Sequence, residues 1–199
     1  MRKEIIRISR SRAPLHPDGR HRYEHWQVDN QVYFITSRCR DRFPAFASDA
    51  AKAIFWDRFA HWTREFGFIP WITTLIANHY HTLGYLRQGA NLSPMMQRVH
   101  GSVAKLVNDL LPDRRAEFWR DAKGHEYFDG CIRDEKQARL AYRYTWFQCR
   151  RHGIGADPQA YPHTRVNVEL EHAIRRAHEL EAFLEGVPYK RYQGRAAAR

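Results

Sequence analysis

The apolar positions of this chain change period several times, and each change marks an expected element. Gln31 to Arg38 runs through Val32, Tyr33, Phe34, Ile35 and Thr36, the β-branched and aromatic composition of a strand. From about Ser48 to Phe66, Ala51, Phe55, Phe59, Trp62 and Phe66 recur at helical spacing, and Gly67 stands where a C-terminal cap belongs. Two strands are then expected close together, Ile69 to Ile76 and His79 to Leu86, joined by a two-residue turn at Ala77-Asn78. Ser93-Pro94 reads as a cap followed by proline at the first helical position. Met95, Val99, Val103, Leu106 and Leu110 supply the apolar stripe of that second helix, which stops before Pro112.

Glu126 to Ile132 predicts a fourth strand, and Asp134 with Gln137 makes a capping-box-like start to a helix from about Glu135 to His152, ended by Gly153. Beyond a loop with Pro158 and Pro162, Asn167 caps a last helix carrying Leu170, Ile174, Ala177, Leu180 and Leu184. The order β-α-β-β-α-β predicts an α+β, ferredoxin-like fold, an antiparallel sheet with helices on one face and its other face open for a ligand. Residues 1–25 are basic, proline-bearing and non-periodic, which predicts an arm; 26–155 form the domain, and 156–199 hold the last helix and a basic tail. Such a layout names no activity.

Composition narrows the partners. Against 22 acidic residues stand 33 Lys and Arg, a formal charge of +11, with 14% aromatic residues, a mixture suited to phosphate contact and base stacking. Nucleic acid comes first and an anionic membrane surface second. The three cysteines, Cys39, Cys131 and Cys149, show no CxxC spacing and no even count that would suggest a disulfide framework or thiolate zinc site, which fits a reducing cytoplasm. No apolar run has signal-peptide length or approaches the ~18 residues that span a bilayer, so a soluble, unprocessed cytoplasmic protein is expected.

The candidate chemistry lies in two places. His79-Tyr80-His81 puts two imidazoles on one face of a strand, half of a metal site. Tyr144 and Gln148, spaced i, i+4, share one side of the predicted long helix, whereas Tyr142 lies about 200° away from Tyr144. Two imidazoles and one amide oxygen can hold a divalent ion with positions open for a phosphate oxygen. Such an ion is a Lewis acid toward phosphorus, and the Tyr144 hydroxyl can attack the same atom to form a phosphotyrosine. The metal and Arg151 are the cations available to stabilise a phenolate. Imidazole alone favours zinc, copper or manganese over magnesium.

Each half has an ordinary reading as well: a half-buried histidine pair, a core tyrosine, a solvated helical glutamine. Arg10, Arg12, Arg150, Arg151, Lys190 and Arg191 read singly as solvated charge and together as a phosphate-contacting set. Trp26, Trp119 and Trp146 suit either base stacking or the core.

The stretch Leu75 to Leu83, with Asn78-His79-Tyr80-His81 at its centre, resembles the "PNH-hydrophobic-H" segment of the single-tyrosine HUH transposases. Leu92 to Ser102, Phe118-Trp119-Arg120, Tyr127-Phe128-Asp129, Ile132 to Glu135 and Tyr144 to Gln148 are similar, in order, to segments of the REP-associated tyrosine transposases. Ala77 departs from the usual proline, and Gln148-Cys149 stands where that branch commonly has Asn-Pro. The resemblance spans roughly residues 28 to 155. It implies a ferredoxin-like nuclease that cuts single-stranded DNA beside a hairpin, leaving a 5′-phosphotyrosine and a free 3′-hydroxyl. Magnesium or manganese would be the cofactor, with His79, His81 and Gln148 as ligands and Tyr144 as nucleophile. Repetitive extragenic palindromes would be the partner DNA, a nucleoid-associated cytoplasmic protein the setting, and a monomer or homodimer the active unit. Two other readings stay open, a DNA-binding protein of the same fold without cleavage and a ferredoxin-like RNA-binding module.

Overall fold

The computed structural model describes residues 27–120 and 125–184. Its elements are β1 (Gln31–Arg38), α1 (Asp49–Glu65), β2 (Phe68–Ile76), β3 (His79–Leu86), α2 (Leu92–Asn108), β4 (Phe128–Cys131), α3 (Glu135–Trp146), α4 (Gln148–Arg151), β5 (Thr164–Val166) and α5 (Leu170–Glu179). All neighbouring strands pair antiparallel in the order β4-β1-β3-β2-β5. The first four strands have the ferredoxin-like arrangement expected from the element order, and β5 extends it beyond β2.

Local chemistry accounts for most boundaries. Ser48 caps α1, its hydroxyl accepting from the Ala51 amide at 3.2 Å. Gly67 follows at φ +72°, the left-handed conformation that ends many helices. Asp134 Oδ1 accepts from the Gln137 amide at 2.7 Å, and Gln137 Oε1 accepts from the Arg133 amide at 2.8 Å, so the expected cap is reciprocal but one residue wider than the usual box. Opposite Gly84 the register shifts between Pro70 and Ile72. A Cβ at Gly84 would stand 2.5 Å from the Ile69 carbonyl oxygen, so only glycine admits this approach.

Alternation along the strands builds two cores. Tyr33, Ile35, Leu75, Tyr80 and Leu86 face α1 and α2, packing with Phe55, Phe59, Met95 and Val99. Val32, Ile72 and Leu83 face the opposite way, against Tyr142 of α3, Ile174 of α5 and Phe183. The sheet face expected to be open is therefore partly covered, because α3 and α5 are amphipathic and bury their apolar sides there.

Other expectations shift. Ser93 lies inside α2, which begins at Leu92, and its hydroxyl is 3.3 Å from that of Tyr127. Leu106 and Leu110 of the expected stripe are exposed. Glu169, not Asn167, precedes α5, since the Asn167 and Val168 amides both donate to the Trp71 carbonyl while β5 pairs with β2. Trp119 is buried, donating from Nε1 to the His100 carbonyl at 3.1 Å, which removes it as a stacking surface. No described helix is long and apolar enough to cross a membrane.

Candidate metal centre and nucleophile

The uncovered end of the second sheet face holds the site. His79 and His81 open β3, two residues apart and on one face, with ring centroids 5.0 Å apart. Both are buried. On β1, Arg38 registers with His79 and Thr36 with His81. Thr36 Oγ1 lies 2.7 Å from His81 Nδ1, and Phe34 stacks parallel to the His81 ring at 5.9 Å.

The tautomer of His79 follows from its neighbour. Asn78 donates from Nδ2 to the Arg42 carbonyl, so its Oδ1 is the atom facing His79 Nδ1, at 2.7 Å. His79 Nδ1 therefore carries the proton and donates, leaving the Nε2 lone pair free. This is the outer-shell pattern that orients a metal-ligating imidazole.

Burial holds both rings neutral. The His79 pKa is lowered to about 4, first by desolvation, then by the nearby His152 and Arg38, with the Gln148 carboxamide opposing the shift. His81 is held well below the ordinary histidine range by the same burial and by His79, Arg38, His152 and Arg151. Neutral imidazole is the form a metal requires.

Gln148 and Tyr144 arrive by a route different from a continuous helix. The expected helix from Glu135 to His152 breaks at Phe147 into α3 and α4. The Thr145 hydroxyl turns back to the Ala141 carbonyl at 2.9 Å, and Thr74 of β2 donates to the Thr145 carbonyl at 2.8 Å. That carbonyl would otherwise serve the next helical turn, so the strand side chain interrupts the ladder. Gln148 Nε2 donates to the Tyr144 carbonyl at 2.9 Å, tying the amide across the break.

Two buried polar atoms of the site make no hydrogen bond: His81 Nε2 and Gln148 Oε1. Gln148 Oε1 is an acceptor, as is His79 Nε2 beside it, and His81 Nε2 becomes one when Nδ1 carries the proton toward Thr36. A buried acceptor without a donor is costly, and a cation among these atoms would relieve that cost. The donor set of two imidazole nitrogens and one amide oxygen thus fits a divalent ion. Among the described residues no group of three or more His, Cys, Asp or Glu is placed to hold a metal, and this set reaches three donors only through the amide.

Tyr144 is 38% exposed on α3, its ring edge-on to His81 at 5.0 Å and to Phe34 at 6.0 Å. The Arg151 guanidinium lies 4.7 Å from the centre of the Tyr144 ring. Tyr142, as its angular position implied, points into the second core, where burial raises its pKa to about 12. Arg150 turns to Phe147, 5.6 Å away, rather than to the tyrosine. Arg10, Arg12, Trp26, Lys190 and Arg191 lie outside the described residues. Sequence reasoning missed Arg38, Thr36, Asn78 and His152, whose ring is 4.9 Å from His79; strand pairing and tertiary packing bring them in, although Asn78 was visible beside the first histidine.

No family model matches the chain, and no curated protein matches it. Among solved structures, a REP-associated tyrosine transposase bound to a REP hairpin has the same fold, with a TM-score of 0.61 and 13% identity over 82% of this chain and 88% of that one. A Deinococcus radiodurans R1 protein described as a candidate transposase aligns at a TM-score of 0.43 and 11% identity, over 63% of this chain and 94% of the other, a likeness too slight to argue from.

Proposed function

We propose that this chain is a transposase of the single-tyrosine type, a metal-dependent endonuclease and strand transferase acting on single-stranded or hairpin DNA. The observation that carries the reading is the meeting of two buried polar atoms without hydrogen bonds, His81 Nε2 and Gln148 Oε1, with a partly exposed tyrosine whose ring lies edge-on to His81. The fold shared with a transposase solved on a REP hairpin supports hairpin DNA as substrate, as does the net charge of +11.

His79, His81 and Gln148 would hold Mg²⁺ or Mn²⁺, which supplies Lewis acidity toward a phosphate oxygen. The Tyr144 oxygen bonds to phosphorus as the P–O3′ bond breaks. The phenolic proton is lost, the 3′ oxygen leaves as a hydroxyl, and the 5′ phosphate stays on the tyrosine. The reverse attack by a 3′-hydroxyl rejoins the strand and frees Tyr144. Arg151 over the ring stabilises negative charge developing on the phenol oxygen. The active unit is a monomer or a homodimer.

The RNA-module reading loses its platform, because α3 and α5 cover much of the sheet face on which bases would stack. The test of the proposal is a denaturing gel of labelled hairpin oligonucleotides with flanking single strand, incubated with Mg²⁺, Mn²⁺ or EDTA. A covalent protein–DNA band that needs metal and disappears in Tyr144→Phe is expected. DNA binding without any adduct across a broad oligonucleotide set would replace the nuclease with a binding protein.

A further inference from the structure

Arg38 has no role in the scheme above. It ends β1 opposite His79, and the side chains two and four residues earlier, Thr36 and Phe34, both contact His81. Strand alternation therefore directs Arg38 to the same face, at the mouth of the site. It is partly buried, and among the described residues it meets no carboxylate. Its charge is felt by His79, His81 and His152, and it helps hold all three neutral. Arg151, the other cation close by, is already over the Tyr144 ring.

A partly desolvated guanidinium with no counter-ion is unfavourable, and a divalent ion among the imidazoles would make it more so. One partner relieves both charges at once: an anion reaching from the ion to the guanidinium. We infer that Arg38 is a phosphate-holding residue that grips a non-bridging oxygen of the scissile phosphate, and that its charge makes metal and DNA binding at this site mutually dependent. The inference rests on the nuclease reading. The planar fork of arginine donates two parallel hydrogen bonds to such a phosphate, which lysine does not do. In the free protein the same charge repels the ion; with DNA bound it secures the assembly.

The test is a calorimetric Mn²⁺ titration of the full chain with and without a DNA hairpin, in a Tyr144→Phe background so that the DNA stays intact, alongside cleavage by the Tyr144 protein. With Arg38 present, hairpin is expected to tighten Mn²⁺ binding about tenfold. Arg38→Gln should bind Mn²⁺ alone about tenfold more tightly, lose most of the tightening by DNA, and cleave about 100-fold more slowly. Arg38→Lys should keep the weak affinity for Mn²⁺ alone yet cleave more slowly than wild type, separating charge from geometry. A merely structural residue would not strengthen metal binding when removed. Mn²⁺ affinity that is unchanged or weaker in Arg38→Gln, or cleavage within about threefold of wild type, overturns the role of Arg38 while leaving the nuclease reading intact. A wild-type protein that neither binds Mn²⁺ nor forms an adduct defeats both.

Discussion

His100 and His81 are both buried histidines, on opposite sides of the sheet, and their surroundings differ in sign. His100, on α2, has Nε2 3.0 Å from the Tyr80 hydroxyl and Nδ1 4.0 Å from the Glu126 carboxylate, with its ring stacked on Trp119. Its pKa is lowered by burial, with Glu126 opposing the shift. His81 has Arg38, Arg151 and two other imidazoles around it; its Nε2, like His100 Nδ1, makes no hydrogen bond, so what differs is the sign of the charge nearby. A histidine that serves packing is given a phenol, an acid and a stacking ring. One placed among cations and other imidazoles stands in surroundings that packing alone does not require.

The sharpest way to break this comparison is to exchange the fates of the two residues. His81→Gln is expected to reduce metal-dependent cleavage by at least about 1000-fold while thermal denaturation shows the melting temperature nearly unchanged, since the carboxamide keeps a hydrogen-bonding group within reach of Thr36. His100→Ala should do the opposite, costing about 2–4 kcal/mol in urea unfolding and leaving cleavage within severalfold at 25 °C. If His100→Ala abolishes cleavage in a protein that is still folded, the division between the faces fails.

Weaker effects sharpen the same contrast. Thr36→Val removes the group at His81 Nδ1 and should cost about 10–100-fold in Mn²⁺ affinity or cleavage rate, measured by titration and single-turnover kinetics. Tyr80→Phe, although it alters the residue between the two histidines, should leave cleavage alone. It loses one buried hydrogen bond, about 1 kcal/mol, seen as a fall of about 2–4 °C in melting temperature.

Much of the scaffold was legible because its signals are local. Ser48 and Gly67 bound α1, and the period-two run of β1 coincides with the observed strand. The two-residue turn at Ala77-Asn78 separates β2 from β3 as its composition implied. His79 with His81 on one face, and Tyr144 rather than Tyr142 turned toward them, follow from strand alternation and the 100° helical step. Three-residue β5 carries too little pattern to be seen, and the second core depends on which surfaces of α3 and α5 find a partner. The break before Gln148 has its cause in Thr74, 71 residues away in the chain.

The sequence by itself determined most of the elements, the pairing of imidazoles and the residue that presents a phenol, since each depends on periods of two and 3.6 within a short stretch. Only the tertiary structure decided that Gln148 joins the histidines, that the far sheet face is half closed, and that Arg38 stands beside them without a carboxylate among the described residues. These depend on which side chain of one element reaches the backbone, the lone pair or the charge of another. Contacts between distant segments, burial and the resulting loss of solvent screening exist only once the chain has closed on itself.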